Sequence, residues 1–394
     1  MGSLEEDRLS NLAGTRESSA TVIRGLEQIL SYLPQLQQLA LDYREPGTMH
    51  GLDLLLGSRF ARRKSPCLIC FHAAENTEDS KSAAKQLIGA VLLHEYCLLG
   101  LRTGVFATGD AFGVRTVVGA ERTQGTLCLR AGHLLLASGA RLVLTTWRGA
   151  MEVSVTADPA YGTILYASTE RTVQDTLRLA PTAEATLQLL GKRTRVHMRA
   201  ARRHFDQRYP QAQLQDATAV LAAADDATLA QLNRSALDTI DQGEFNHQVR
   251  ALCRSAGGFA LGLRLDGRWV ALIGGWRQAG ATWIEWQCNG TGYEKLSVGT
   301  VLRTYLLEEE ARRGSTHLSF HGGTSHSMLH RFDHTTVTDQ LLRRNGLLTD
   351  LLIRTVPWLG SRFPTLLQRG NFIFNALCAQ GLRWSTHPTA TPTR

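Results

Sequence analysis

GGFALGLRLDGRWVALIGGWRQAGATWIEWQCNGTGYEKLSVGTVLRTYLLEEEARRGSTHLSFH, residues 257–321, is the stretch on which the fold turns. Phe259 to Leu265 alternates, Asp266-Gly267-Arg268 is a tight hairpin signal, and Trp269 to Trp276 reads as the return strand. Gln278-Ala279-Gly280 turns the chain into Thr282 to Cys288, a third strand rich in β-formers. A glycine-bearing loop leads to a helix from about Ser297 to Arg313, and Thr316 to His321 reads as a further strand. The order is hairpin, strand, loop, helix, strand. It predicts a mixed α/β unit.

Upstream, residues 184–209 (EATLQLLGKRTRVHMRAARRHFDQRY) form one helical run. Its second half is crowded by Lys192, Arg193, Arg195, Arg199, Arg202, Arg203 and Arg208. The Ala-rich segment 216–241 predicts two helices. Further back, Arg141 to Trp147, Met151 to Thr156 and Thr163 to Ser168 read as strands, and Val105 to Val118 as strands with turns. Leu127 to Ala137 is a mixed apolar segment, Cys67 to His72 a short buried strand, and Ser82 to about Leu99 a helix. Residues 21–43 carry helical spacing broken at Pro34. No Pro/Gly/Ser-rich linker separates the halves near residue 180.

Of the 394 residues, 43% are hydrophobic and 20% charged, which excludes wholesale disorder and permits a core that needs no staples. The net charge of +8 favours polyanionic partners without choosing among them. Seven cysteines in apolar surroundings read as reduced, buried thiols of a cytoplasmic protein. The polar start MGSLEEDRLS carries no signal pattern, and no apolar run reaches the length of a membrane span.

Two stretches resemble the GNAT-fold acyltransferase domain of bacterial CelD-like proteins, which are related to the Fem peptidyltransferases. One is LLGKRTRVHMRAARRHF, residues 189–205, similar to the basic helix between the two halves of those proteins. The other runs from WIEWQCNGTGYEKLSVGTVLRTYLLEEEARRG, residues 283–314, to HLSFHGG, residues 317–323. The resemblance spans roughly 180–340 and, more weakly, 50–180. It implies two tandem GNAT-like lobes with mixed sheets flanked by helices. The expected division is an N-terminal helical segment (1–45), a degenerate first lobe (46–180), a second lobe with the basic linking helix (181–345) and a C-terminal extension (346–394).

The implied activity is transfer of an acetyl or other acyl group from acyl-CoA to an amine or hydroxyl, with a small molecule or an envelope precursor as acceptor. A Fem-like transferase drawing on charged tRNA is one alternative, and a non-catalytic binding protein another. Two departures favour the last: Ser319 stands where the family shows Asp, and His330 or Arg331 where it shows Lys.

Gln287-x-x-Gly290-x-Gly292 fits a phosphate-binding loop for coenzyme A, because glycines let backbone N–H groups approach an anion. The following helix start, with Ser297 as N-cap and Gly299 behind it, is the competing anion site. Glu285 is the candidate base, against the plainer reading of an exposed carboxylate paired with Arg or Lys. Tyr293 or Tyr305 would supply the acid, and His321 either function.

Other constellations favour structure over chemistry. His326, His330 and His334, spaced by four, would share a helix face, yet only Asp333 stands near to complete a metal set, and no metal is expected. Cys67 and Cys70 on one strand point to opposite faces. Trp269, Trp276, Trp283 and Trp286 read as packing of the hairpin. Arg195 and Arg202 share one face of the basic helix and are the choice for a phosphate contact.

Overall fold

The computed structural model describes residues 19–43, 64–73, 86–98, 101–108, 116–148, 163–230, 232–234, 242–255, 257–278, 280–290, 292–320 and 333–344. Strand β1 (Ala20–Arg24) is followed by helices α1 (Leu26–Ser31) and α2 (Leu33–Asp42). Then come β2 (Lys64–His72), β3 (Leu87–Leu98), β4 (Leu101–Thr108), β5 (Val117–Val118), α3 (Gln124–Ala137), β6 (Leu142–Arg148) and β7 (Thr163–Arg178). The second half runs α4 (Ala183–Leu189), α5 (Lys192–Arg208), β8 (Gln213–Asp216), α6 (Thr218–Ala223), α7 (Asp226–Ala230), β9 (Leu232–Arg234) and α8 (Gln242–Arg254). It ends with β10 (Gly258–Leu265), β11 (Arg268–Gln278), β12 (Ala281–Gly290), α9 (Val298–Arg313), β13 (His317–Phe320) and β14 (Asp333–Arg344).

One unit occurs twice. In β2-β3-β4-α3-β6 three antiparallel strands are followed by a helix, and the next strand lies parallel to the third. The same holds for β10-β11-β12-α9-β13. The two lobes then exchange a strand. β7, which leaves the first lobe, pairs with β13 of the second, and β14, which leaves the second, pairs with β6 of the first. β7 and β14 pair antiparallel with each other. The mixed sheets are thereby one 14-stranded sheet, with main path β1-β2-β3-β4-β6-β14-β7-β13-β12-β11-β10-β8.

Helices cover both faces. In the first lobe Cys67, Ile69 and Phe71 pack with α3, whereas Leu68 and Cys70 pack with α1 and α2. The two sulfurs of the C-x-x-C therefore diverge, as two-residue alternation requires. In the second lobe one core gathers under α4, α5 and α9, and another under α6 and α8.

Several local expectations change. The described part of Ser82–Leu99 is strand β3, because Ala90 and Leu92 face one core and Val91 and Leu93 the other. A strand buried on both faces shows no polar alternation and imitates a buried helix. Residues 20–24 form a strand ahead of the helices, and Pro34 stands at the second position of α2, where its missing N–H costs nothing. Leu127–Ala137 belongs to helix α3. The run 184–209 is two helices parted at Leu190-Gly191, with Thr182 capping the first by accepting from Ala185 N at 3.1 Å. The segment 216–241 holds two short helices, α6 and α7, followed by strand β9, and residues 235–241 lie outside the described residues. His334 lies in strand β14, so it shares no helix face, while His326, His330 and Met151–Thr156 lie outside the described residues.

Candidate functional site

Among the described residues, strands β12 and β13 run side by side from Ala281 to Ile284, opposite His317 to Phe320. Further along the same edge of β12, Cys288 to Gly290 pair with the short strand β9. Glu285, Trp286 and Gln287 lie between these two pairings, at a fork in the sheet.

A bulge falls at that point. Gly274 of β11 opposes Trp286 and Gly275 opposes Ile284, so Glu285 has no counterpart. A bulge re-aims the side chains beside it. Both glycines are needed, since a Cβ on Gly275 would collide with the Trp283 carbonyl and one on Gly274 with the Trp286 ring. Thr282 and Ile284 face α9, whereas Trp286 and Cys288 face α8. Glu285 is 6% exposed, and its Oε1 accepts from Trp276 Nε1 at 3.1 Å. Trp276 in turn stacks on Trp283, with centroids 3.9 Å apart. Glu285 is thus a buried carboxylate set in a tryptophan cluster rather than an exposed one.

The other side of the fork is polar. Gln287 and Asn289 reach the start of α9, where a Cβ on Gly299 would collide with the Gln287 amide. Gln287 Nε2 donates to Asn289 Oδ1 at 3.2 Å, and Gln287 Oε1 accepts from Arg303 Nε at 2.9 Å. Arg303 lies over the Phe320 ring and pairs with no carboxylate among the described residues. Its side chain reaches solvent, yet the surrounding protein lowers its pKa by desolvation. Arg303 carried no expectation from the sequence. The signal available was a cation one and a half turns into the helix that follows the glycine loop.

The remaining loop residues are near by. Gly290 is buried at the end of β12 and Gly292 takes a φ of +89°. A single 3-10 turn, Glu294–Leu296, precedes Ser297, which sits at the N-cap in a left-handed conformation (φ 50°) with no side-chain cap bond. Tyr293 is half-buried against the core under α9. Tyr305 points elsewhere: its hydroxyl donates to Asp206 at 2.9 Å, and burial pushes its pKa up to about 12. Ser319 is buried and shares a 2.7 Å hydrogen bond with Thr176 of β7. His321, His330 and Arg331 lie outside the described residues.

The first lobe differs at the counterpart positions. Thr146 N donates to Thr108 Oγ1 at 2.9 Å, joining β6 to the last described residue of β4. The glycine at the second position of α3, Gly125, packs on the indole of Trp147, which is buried. At the same helix position in the second lobe Gly299 meets polar amides instead.

The inward cations of α5 are neutralised. Arg199 pairs with Glu184; Arg202 bonds Asp206 at 2.6 Å and Glu308 at 3.3 Å and stacks on Tyr305. Arg195 donates to the Gln188 carbonyl. Among the described residues no group of three or more His, Cys, Asp or Glu could hold a metal ion, and no helix is long and apolar enough to cross a membrane.

This repeated strand-helix unit, with a bulged strand forking from its neighbour, defines a GNAT-type acyltransferase fold. Residues 192–327, within the second lobe, match the family model described as the acetyltransferase (GNAT) domain, in keeping with the GNAT resemblance of that stretch. Solved structures similar to the chain include a tandem GNAT protein from the clavulanic acid biosynthesis pathway, with 11% identity, 83% of this chain and 99% of that one covered, and a TM-score of 0.45. L-PGS from Bacillus licheniformis gives 13% identity, 84% and 97% coverage and a TM-score of 0.44. FemX gives 9%, 72% and 89%, and 0.42. No curated protein matches the sequence.

Proposed function

We propose that the second lobe transfers an acyl group from an acyl-CoA thioester to an amine or hydroxyl acceptor. The observation that carries the reading is the fork itself, with a buried carboxylate on one face and a Gln-Arg pair beside a side-chain-free helix start on the other. The helix start, Ser297 to Gly299, and the Arg303 guanidinium suit the phosphates of coenzyme A. Gln287, Gly290 and Gly292 line the approach to it. Because Thr146 bonds Thr108 and the Trp147 indole packs on the helix-start glycine Gly125 in the first lobe, one coenzyme A is expected per chain.

Glu285 takes a proton from the attacking amine or hydroxyl as the new bond to the acyl carbon forms. The carbon–sulfur bond then breaks, and the thiolate is protonated by Tyr293 or His321. Burial against Trp276 and Trp283 holds the Glu285 carboxylate in one orientation and keeps bulk water from it. The acceptor approaches from the tryptophan face, opposite the phosphates. Five of the six described cysteines are buried in apolar surroundings, in keeping with the expected cytoplasmic setting.

The test is free-thiol release from acetyl-CoA and longer acyl-CoAs across a panel of amines, sugars and envelope-precursor acceptors. Turnover with at least one acceptor supports the reading. Tight coenzyme A binding with no turnover on any acceptor would make the domain a binding module, the outcome that Ser319 at the family's Asp position favours.

A further inference from the structure

Helix α5 divides its charges by face. The inward cations Arg199 and Arg202 are held by Glu184, Asp206 and Glu308. Lys192, Arg193, Arg203 and Arg208 are exposed, and among the described residues none of them pairs with a carboxylate. By helical spacing Lys192, Val196, Arg203 and Gln207 form one row, and Arg193, His197, Ala200, His204 and Arg208 the adjoining one. Every one of these nine side chains is exposed and none is acidic. A 17-residue helix offers a strip about 25 Å long.

We propose that this outer face docks the protein on an anionic lipid surface. The strip needs a polyanionic occupant, and two features select lipid over nucleic acid. Val196 is 55% exposed in the middle of the cationic strip, and Leu189, at the end of the preceding helix, is 43% exposed. Aliphatic side chains among cations suit the boundary between headgroups and acyl chains. Single-stranded nucleic acid would call for exposed aromatic rings on which bases stack. The helix's one Phe, Tyr or Trp, Phe205, is fully buried in the core, which leaves only the smaller rings of His197 and His204 on the strip. The helix also touches the turn Glu294–Leu296 that leads into α9, so docking brings the fork close to the lipid surface and acceptors carried on it.

Co-sedimentation of the full chain with vesicles tests this. The vesicles are pure phosphatidylcholine or contain about 30% phosphatidylglycerol, with salt raised in steps. The wild type is expected to bind the anionic vesicles at least tenfold more tightly than the neutral ones, with the difference shrinking as salt rises. Changing Lys192, Arg193, Arg203 and Arg208 together to Gln should weaken that binding at least tenfold. Val196→Asp, one exposed substitution with no fold to disturb, should weaken it severalfold. Equal binding to both vesicle types by the wild type, or unchanged binding by both variants, would overturn the proposal. So would binding of a labelled single-stranded RNA that the fourfold variant loses while vesicles are not bound.

Discussion

Glu285 occupies the one position of β12 between Ile284 and Trp286 that β11 does not oppose, and its carboxylate is fixed by the Trp276 indole. A base that acts as the amine proton leaves lowers the barrier without adding much ground-state affinity. Glu285→Gln keeps the shape and the Trp276 bond, so kcat should fall by about 10²-fold or more with coenzyme A affinity little changed. Steady-state rates beside a binding titration check it, and wild-type turnover in the variant would pass the function to His321. Gly299 gives a second residue-level test. Its added methyl would meet the side-chain ends of Gln287 and Asn289, so Gly299→Ala should displace the Gln287–Arg303 pair and weaken coenzyme A severalfold at small cost in melting temperature. The glycine spacing drew attention to this loop but not to each residue's place in it. Gly299 is a close-packing glycine, and Ser297 turns the chain in a left-handed conformation rather than capping the helix. Arg303 escaped notice because a lone Arg on a helix looks like a solvated one until the fold puts Gln287 and Phe320 beside it.

At the level of elements, α9 is pinned to the sheet by a buried carboxylate. Glu310 is fully buried and accepts from Arg277 Nε and NH2 at 2.9 and 2.6 Å, from Ser315 at 2.6 Å and from Thr282. Arg277 also lies 3.7 Å from the Phe259 ring centroid, and its burial lowers its pKa. Removing one partner strands a charge in the core, so Arg277→Leu should cost about 3–5 kcal/mol, measured by denaturant unfolding. The double variant Arg277→Leu, Glu310→Leu should recover part of that loss; no recovery would mean that the pair acts through packing alone. Hairpin β10–β11 and strand β12 were legible because Asp-Gly and Ala-Gly turns bracket them. β3 was not, because a strand covered on both faces hides its two-residue period, and the break in 184–209 was not, because Leu190-Gly191 interrupts an otherwise helical pattern.

Across the whole molecule, the exchange of β7 and β14 is what no local pattern could reveal. The family resemblance implied two lobes, but a strand's partner is set by the sheet and not by its neighbours in sequence. The consequence is testable: residues 181–394 alone lack β7 and expose the edge of β13, so that fragment should be insoluble or unfolded. Co-expressed with residues 1–180 it should be recovered as a soluble pair, and a monomeric, cooperatively melting 181–394 would refute the exchange. The buried thiols give the molecule an alkaline limit. Burial pushes Cys67 to about 11 and Cys70 and Cys253 to about 12, and it raises Cys128 further. Below pH 9 folded and unfolded chains both keep these protons; above it the unfolded chain releases them first, so stability falls as pH rises toward the folded values. Each thiol adds a slope of about 1.4 kcal/mol per pH unit, and Cys128→Ala should flatten the fall in melting temperature above pH 9.

The most direct test of the central claim is a calorimetric titration of the full chain with acetyl-CoA, in parallel with Arg303→Gln. The fork of the second lobe predicts saturable binding of one acetyl-CoA per chain, weakened about tenfold in Arg303→Gln by loss of a charge-assisted contact. Absence of binding by the folded wild type, two equivalent sites per chain, or full affinity in the variant would contradict it.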